Sequence, residues 1–222
     1  MAADASFLRS SIGKKVVMAT TGVILFGFVL GHLAGNLQLY LPNAPEAMKA
    51  YAAFLRHFLH GAGLWIARGG LLLAAGLHIW SATSLTLANR AARPVAYEKW
   101  AAKESTYASR TMRYSGVLLF AFIVYHLLHF TIGSAHPSFD EADPYRNVVA
   151  GFQVLPVSVA YIVAMLLLGL HLRHGLWSML QTLGLSHPRY KLYAQVFATL
   201  FAAVIVLGNI SFPIAVLAGV IK

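Results

Sequence analysis

The 222-residue sequence contains no cysteine. A chain without thiols forms no disulfide, provides no ligand for an iron–sulfur cluster and cannot attach a c-type haem covalently. Any redox cofactor in this protein must therefore be bound noncovalently, through nitrogen or oxygen atoms.

Charged residues are also scarce, at 11% of the chain against 59% hydrophobic residues, and the mean hydropathy is +0.67. This composition excludes an ordinary soluble domain and indicates a polytopic membrane protein. A helix of about 20 residues rises about 30 Å, which is enough to cross the hydrocarbon core of a bilayer. Five stretches of at least that length contain no Asp, Glu, Lys or Arg: residues 16–45, 69–89, 114–139, 147–172 and 192–221.

These charge-free stretches predict an all-α fold with five transmembrane helices, in a single domain over residues 1–222. No internal repeat is predicted. Residues 41–60 are expected to add an amphipathic helix at the membrane surface, because apolar residues recur there on one helical face. The predicted transmembrane helices cover about residues 13–40, 61–90, 109–133, 155–182 and 190–219.

Basic residues flank the predicted helices unevenly, and this asymmetry sets the expected topology. With the N-terminus in the cytoplasm, 12 of the 17 Lys and Arg residues lie on or near the inner side and the other five lie outside. This distribution satisfies the positive-inside rule and argues against a nucleic-acid-binding face, despite a net charge of +10. We therefore expect a multi-pass protein of the bacterial inner membrane, with the C-terminus outside and no cleavable signal peptide.

One histidine lies inside each of the first four predicted helices: His32, His78, His126 and His171. Ionisable side chains are rare inside membranes and mark functional sites. At about 1.5 Å per residue, His32 and His126 lie near the outer face, and His78 and His171 lie nearer the cytoplasm. The sequence therefore predicts two histidine pairs, at levels about 10 Å apart.

Two levels of opposing imidazoles suit two b haems, held in a bundle formed by the first four helices. The candidate iron ligands are His32 with His126 and His78 with His171. An alternative ligand stays open on two helices, because His129 and His174 lie three residues after His126 and His171, near the same helical faces. A single buried imidazole can instead hydrogen-bond to a neighbouring helix.

Four arginines are candidates to bind anionic haem propionates by charge-assisted hydrogen bonds. Arg110, Arg113 and Arg173 are placed for the inner haem. Arg68 is expected to contact the outer haem or a quinone head group; the alternative is that it extends to the outer interface. The sequence does not locate a quinone pocket, because polar donors occur near both membrane faces.

With these residues the chain resembles the single-polypeptide, two-haem cytochrome b membrane anchor of succinate:quinone oxidoreductases. The resemblance covers nearly the whole chain. The motifs that carry it are Thr20-Thr21-Gly22, Gly31-His32-Leu33-Ala34-Gly35-Asn36-Leu37, Leu77-His78-Ile79, Asn89-Arg90, Arg113-Tyr114-Ser115-Gly116, His126-Leu127-Leu128-His129-Phe130-Thr131, and His171 with Gly175 and Trp177.

The resemblance implies that His32, His78, His126 and His171 are the axial ligands of two haems b. It also implies a flavoprotein subunit that oxidises succinate, an iron–sulfur subunit that carries the electrons, and a quinone, expected to be menaquinone, that exchanges electrons with this anchor. The chain itself has no dinucleotide-binding fingerprint that could hold the flavin.

Several alternatives remain at this stage. The same complex can run in the fumarate reductase direction, and several complexes can associate in the membrane. A haem-free transporter would use the histidines as proton or substrate sites, and a structural anchor would use them as hydrogen-bond partners between helices. Membrane lipid is an expected partner in every case, and nucleic acid is not.

Overall fold

The structure, a computed structural model, describes residues 7–92, 107–185 and 187–222. Every regular element in these ranges is helical, which confirms the predicted all-α fold. The helices are α1 (Ser11–Asn36), α2 (Ala44–His57), α3 (Ala62–Ala91), α4 (Tyr107–Leu127), α5 (Pro144–Phe152), α6 (Leu155–Thr182) and α7 (Lys191–Leu217). Short 3-10 turns precede α2, α3 and α7, and a π-helical turn, Leu128–Ile132, extends α4.

Within the described ranges, five helices are long and apolar enough to cross a membrane: α1, α3, α4, α6 and α7. They lie within a few residues of the predicted ranges, and α6 begins and ends at the predicted residues. Their outer faces are apolar and exposed, as shown by Leu72, Val117 and Leu207, which are 68%, 70% and 69% exposed. Such faces are suited to lipid, so the polytopic prediction is confirmed.

The membrane helices pack as neighbouring pairs. Helix α1 packs on α3, α4 packs on α6, and α7 packs along α6 and also contacts α1. Gly169 permits the α6–α7 contact, because a Cβ atom there would lie 2.5 Å from Val206 Cγ2. The fifth membrane helix thus shares a core with α1, α4 and α6, in which Ile205 is fully buried in one cluster with Leu33 and Leu172.

Two amphipathic helices cover one end of the bundle. Helix α2 was predicted, whereas α5 was missed because residues 147–172 form one uncharged run. The start of α5 has a clear local cause: Asp143 caps it by accepting a hydrogen bond from Arg146 N at 3.1 Å, and Pro144 follows at the first helical position. An ion pair from Lys49 Nζ to Asp143 Oδ2, 2.9 Å long, joins α2 to α5.

The chain also contains an internal repeat, so the prediction of none is wrong. The segments α1–α3 and α4–α6 each consist of a membrane helix, a short amphipathic helix and a second membrane helix packed on the first. Residues 22–33 and 116–127 share the pattern Gly-Val-x-Leu-Phe-x-Phe-x-x-x-His-Leu, and Gly-Leu-His recurs at residues 76–78 and 169–171. The repeat is difficult to recognise in the sequence because the amphipathic helices and loops between these segments differ in length and composition.

Candidate functional site

The four membrane histidines meet in two pairs between neighbouring helices; His78, His126 and His171 are half-buried, and His32 is exposed on one side. The rings of His32 and His126 face each other edge to face, with centroids 5.8 Å apart and an interplanar angle of 89°. The rings of His78 and His171 lie 6.4 Å apart at 56°. These are the two pairs expected from depth, and each joins a histidine of the first half to its equivalent in the second half.

The separation within each pair fits a metal bound between two imidazoles. A metal–nitrogen bond of about 2 Å on each side, plus about 1.1 Å from each nitrogen to its ring centre, separates two axial rings by about 6 Å. Among the described residues, no three His, Asp or Glu side chains come together as a metal site. Each pair therefore supplies two ligands only, which suits a metal whose other ligands come from a macrocycle.

A hydroxyl side chain accompanies each histidine of the inner pair. Thr21 Oγ1 lies 3.2 Å from His78 Nδ1, and Ser115 Oγ lies 3.3 Å from His171 Nδ1. His78 Nδ1 is also 3.2 Å from the carbonyl oxygen of Met18. Neither hydroxyl was predicted, although both residues lie in motifs that carry the family resemblance.

The glycines of the membrane helices that carry the four histidines fall into several groups. Gly22 and Gly116 contact the inner pair, since a Cβ atom on either would lie 3.8 Å from Cε1 of His78 or His171. Gly27, Gly31, Gly69, Gly70 and Gly76 border open space, with no other side chain within 4 Å of their Cβ positions. Gly35 instead serves helix packing, because Tyr51 of α2 occupies the space beside it.

The outer pair has a different environment on its two sides. The hydroxyl of Tyr161 lies 3.2 Å from His126 Nδ1 and 3.0 Å from His129 Nδ1. On the opposite helix, Phe28 stacks on the ring of His32 with centroids 5.4 Å apart. Tyr161 was not predicted as a site residue, because no local motif distinguishes it from an ordinary interfacial tyrosine.

The competing histidines do not take part in the two pairs. His129 is fully buried against Tyr125, Phe130, Tyr161 and His136, and no ring contact joins it to His32 within the described residues. Its close packing depends on Gly151, where a Cβ atom would lie 2.8 Å from His129 Cε1. His174 is half-buried, and the ring opposite His78 is that of His171.

Three of the predicted arginines, Arg68, Arg113 and Arg173, are not gathered around the histidine pairs. Arg68 is exposed, and its guanidinium lies 5.0 Å from the centre of the Trp65 ring. Arg173 is exposed and donates from Nε to Thr199 Oγ1 of α7 at 3.2 Å. Because it follows His171 by two residues, about 200° around the helix, it lies on another face from that ring. Arg113 is also exposed.

Comparison with known proteins supports the expectation drawn from the motifs. Residues 86–207, more than half of the chain, match the family described as the succinate dehydrogenase/fumarate reductase transmembrane subunit. The matched region includes His126 and His171, while His32 and His78 lie in the equivalent first half. No curated protein and no solved structure matches the chain significantly. The chain belongs to the family of succinate dehydrogenase/fumarate reductase transmembrane subunits.

Proposed function

We propose that this membrane subunit binds two haems b and transfers electrons between an iron–sulfur subunit and a quinone. One observation carries the proposal: at each of two levels of the bundle, two imidazole rings lie opposite each other, with centroids 5.8 and 6.4 Å apart. Haem supplies reversible one-electron chemistry when it is bound. Two imidazole ligands to each iron would favour electron transfer over oxygen chemistry.

The chain's own residues have three tasks in this proposal. His32, His126, His78 and His171 hold the two irons, and the apolar helix faces exclude water. The space beside Gly27, Gly31, Gly69 and Gly70, where no atom of another element lies within 4 Å of the Cβ position, would leave room for a flat macrocycle. Arg113, Arg173 and Arg68 are proposed to bind propionates or a quinone head group, which requires Arg68 to leave Trp65 and Arg173 to leave Thr199.

Membership of the family supports a proposal for the partners and the setting. We propose a flavoprotein subunit and an iron–sulfur subunit bound at the cytoplasmic end, in a bacterial inner membrane, with menaquinone as the quinone. Succinate oxidation is the proposed direction, and fumarate reduction by the same complex is the alternative.

A haem-free transporter remains the rival from another class, since transporters also contain repeats. The described membrane helices carry no Asp or Glu, the usual proton-relay carboxylates. The ring separations of 5.8 and 6.4 Å support metal ligation, since a direct hydrogen bond of about 2.9 Å between the nitrogens would bring the ring centres to about 5.1 Å. Both observations favour the haem proposal over a transporter or a purely structural anchor.

The proposal is tested by the optical spectrum and haem content of the purified complex. We expect reduced-minus-oxidised bands of haem b at two equivalents per subunit. His78→Ala and His171→Ala should each lose the same spectral component, and His32→Ala and His126→Ala should each lose the other. His57→Ala, at an exposed position on α2, is the matched control and should retain both. A colourless wild-type complex would end the proposal.

A further inference from the structure

The two halves of the repeat make equivalent contacts with the inner histidines. In the first half, the dipeptide Thr21-Gly22 of α1 contacts the ring of His78 on α3. In the second half, Ser115-Gly116 of α4 contacts the ring of His171 on α6. The hydroxyl lies beside Nδ1 and the glycine lies beside Cε1 in both cases. An arrangement that occurs twice, at equivalent positions of a repeat, is unlikely to be an accident of packing.

The direction of these hydrogen bonds follows from the available protons. Thr21 Oγ1 lies 2.7 Å from the carbonyl oxygen of Val17, which can only accept, so the threonine proton is used there. Ser115 Oγ likewise donates to the carbonyl oxygen of Met112 at 3.1 Å. With its proton on that carbonyl, each hydroxyl oxygen accepts from the Nδ1–H of its histidine, and His78 Nδ1–H can also donate to the Met18 carbonyl oxygen. All these contacts form together when the rings of His78 and His171 carry their proton on Nδ1 and leave Nε2 unprotonated.

We propose that Thr21 and Ser115 are equivalent positioning residues, which hold His78 and His171 in the tautomer that binds iron through Nε2. This inference rests on the proposed haem binding and extends it to residues that do not themselves touch the metal. Partners of this kind orient a ligating histidine and increase its basicity. A more basic imidazole stabilises ferric over ferrous iron, so the two hydroxyls lower the reduction potential of the inner haem.

The two positions differ in one respect that makes the proposal specific. His78 Nδ1 has a second acceptor, the Met18 carbonyl oxygen at 3.2 Å. For His171 Nδ1, Ser115 is the acceptor recorded among the described residues. Loss of the Ser115 hydroxyl should therefore have a larger effect than loss of the Thr21 hydroxyl.

The test uses the purified complex with Thr21→Val, Ser115→Ala and the double variant. We expect two haems per subunit, an inner-haem potential that shifts to more positive values, and altered low-spin electron paramagnetic resonance signals of that haem. The shift should be larger for Ser115→Ala and largest for the double variant, and the outer haem should keep its potential and signals. Thr21→Ser and Ser115→Thr retain a hydroxyl and should restore wild-type values.

Thr182→Val is the matched control, because Thr182 Oγ1 also donates to a backbone carbonyl, that of Ser178, at 3.0 Å, and makes no recorded contact with a histidine. It should leave both haems unchanged. Selective loss of the inner haem, restored by the hydroxyl-retaining variants, would also support the inference. An unchanged inner haem in the double variant, or an equal change in both haems, would overturn it. A wild-type complex without haem would instead defeat the proposed function.

Discussion

The hydroxyl of Tyr161 lies within hydrogen-bond distance of two imidazole nitrogens, but it has only one proton to donate. At least one ring must therefore donate to it. If His126 binds iron through Nε2, its Nδ1 carries the proton and donates to Tyr161, which in turn donates to His129. His129 Nε2 is then left as a buried donor, and it has no partner among the described residues.

This arrangement predicts a selective effect of Tyr161→Phe. The aromatic packing is retained, but the nitrogens of His126 and His129 lose their partner, at a cost of about 1–3 kcal/mol in stability for an unsatisfied buried group. We expect the outer haem to change its potential while the inner haem does not. Tyr125→Phe is the control, since its ring stacks on His129 and its hydroxyl makes no recorded hydrogen bond. A change confined to the inner haem would contradict the assignment.

A second prediction at this scale separates His126 from His129. His126→Ala should remove the outer haem, because the ring opposite His32 is lost. His129→Ala should retain that haem and lower stability by about 2–5 kcal/mol, the usual cost of a cavity left by a large buried side chain. Haem content and thermal unfolding of the two variants provide the comparison. Loss of the outer haem in His129→Ala alone would make His129 the ligand.

Some site residues can be predicted from the sequence, and others cannot. The four membrane histidines are predictable because an ionisable group inside a charge-free helix is rare, and their pairing follows from counting residues. The positions of the hydroxyl partners and of Arg68 are not predictable in this way. Both depend on which way a side chain points around its helix, and residue spacing does not set that direction: Arg68 extends over Trp65, three residues earlier on α3.

At the scale of elements, the start of α5 and its attachment to α2 both depend on Asp143. This residue caps α5 and pairs with Lys49 of α2. The hydrogen bond from Lys49 holds the pKa of the Asp143 carboxyl below its usual value. A lowered folded-state pKa stabilises the fold above the unfolded pKa of about 3.9, and this contribution is lost as the pH falls further.

We therefore predict that Asp143→Asn weakens the acid dependence of stability. Asparagine retains the helix cap but not the charge, so the variant should be less stable than wild type at neutral pH and should approach it near pH 3. Asp143→Ala should lose the cap as well, at about 1 kcal/mol. Thermal unfolding between pH 3 and 7 measures both. Glu141→Gln, at an exposed position with no recorded side-chain partner, should follow the wild-type profile.

The helices with the strongest local sequence pattern are the ones that the sequence predicts correctly. Long uncharged runs define the membrane helices, because lipid tolerates few other structures. Helix α5 begins with a recognisable Asp-Pro motif. It was nevertheless missed, because it shares one uncharged run of residues with α6. The repeat was missed because matching residues are separated by unlike segments, and only the packing of α1 on α3 and α4 on α6 makes their equivalence evident.

For the whole molecule, the two ends of the bundle are well distinguished. The end that contains α2 and α5 also contains the C-terminus, since Tyr145 donates a hydrogen bond to the carbonyl oxygen of Lys222. We predict that this end faces outward. In this cysteine-free chain, Ser138→Cys should react with an impermeant thiol reagent from the outer side, and Leu185→Cys from the cytoplasmic side. The opposite pattern would reverse the topology.

The separation of the two histidine levels leads to a prediction about electron flow. His78 and His171 contact Thr21 and Ser115, and His32 and His126 lie 11 residues further along the same helices (32 − 21 and 126 − 115). At about 1.5 Å per residue the levels are about 16 Å apart, more than the 10 Å expected from the sequence. If the two proposed haems are bound at these levels, an electron that enters at the cytoplasmic end would pass the inner haem before it reaches the outer one.

In the intact complex, loss of the inner haem should isolate the outer haem from succinate. We expect rapid mixing of His171→Ala with succinate to leave the outer haem oxidised on the timescale of wild-type reduction. In His126→Ala the inner haem should still be reduced rapidly. Dithionite, which reduces haem directly from solution, should reduce the remaining haem in both variants and so controls for an intact site. Fast reduction of the outer haem by succinate in His171→Ala would mean that electrons enter at the other end of the bundle, and both the order of the haems and the proposed docking of the iron–sulfur subunit would be wrong.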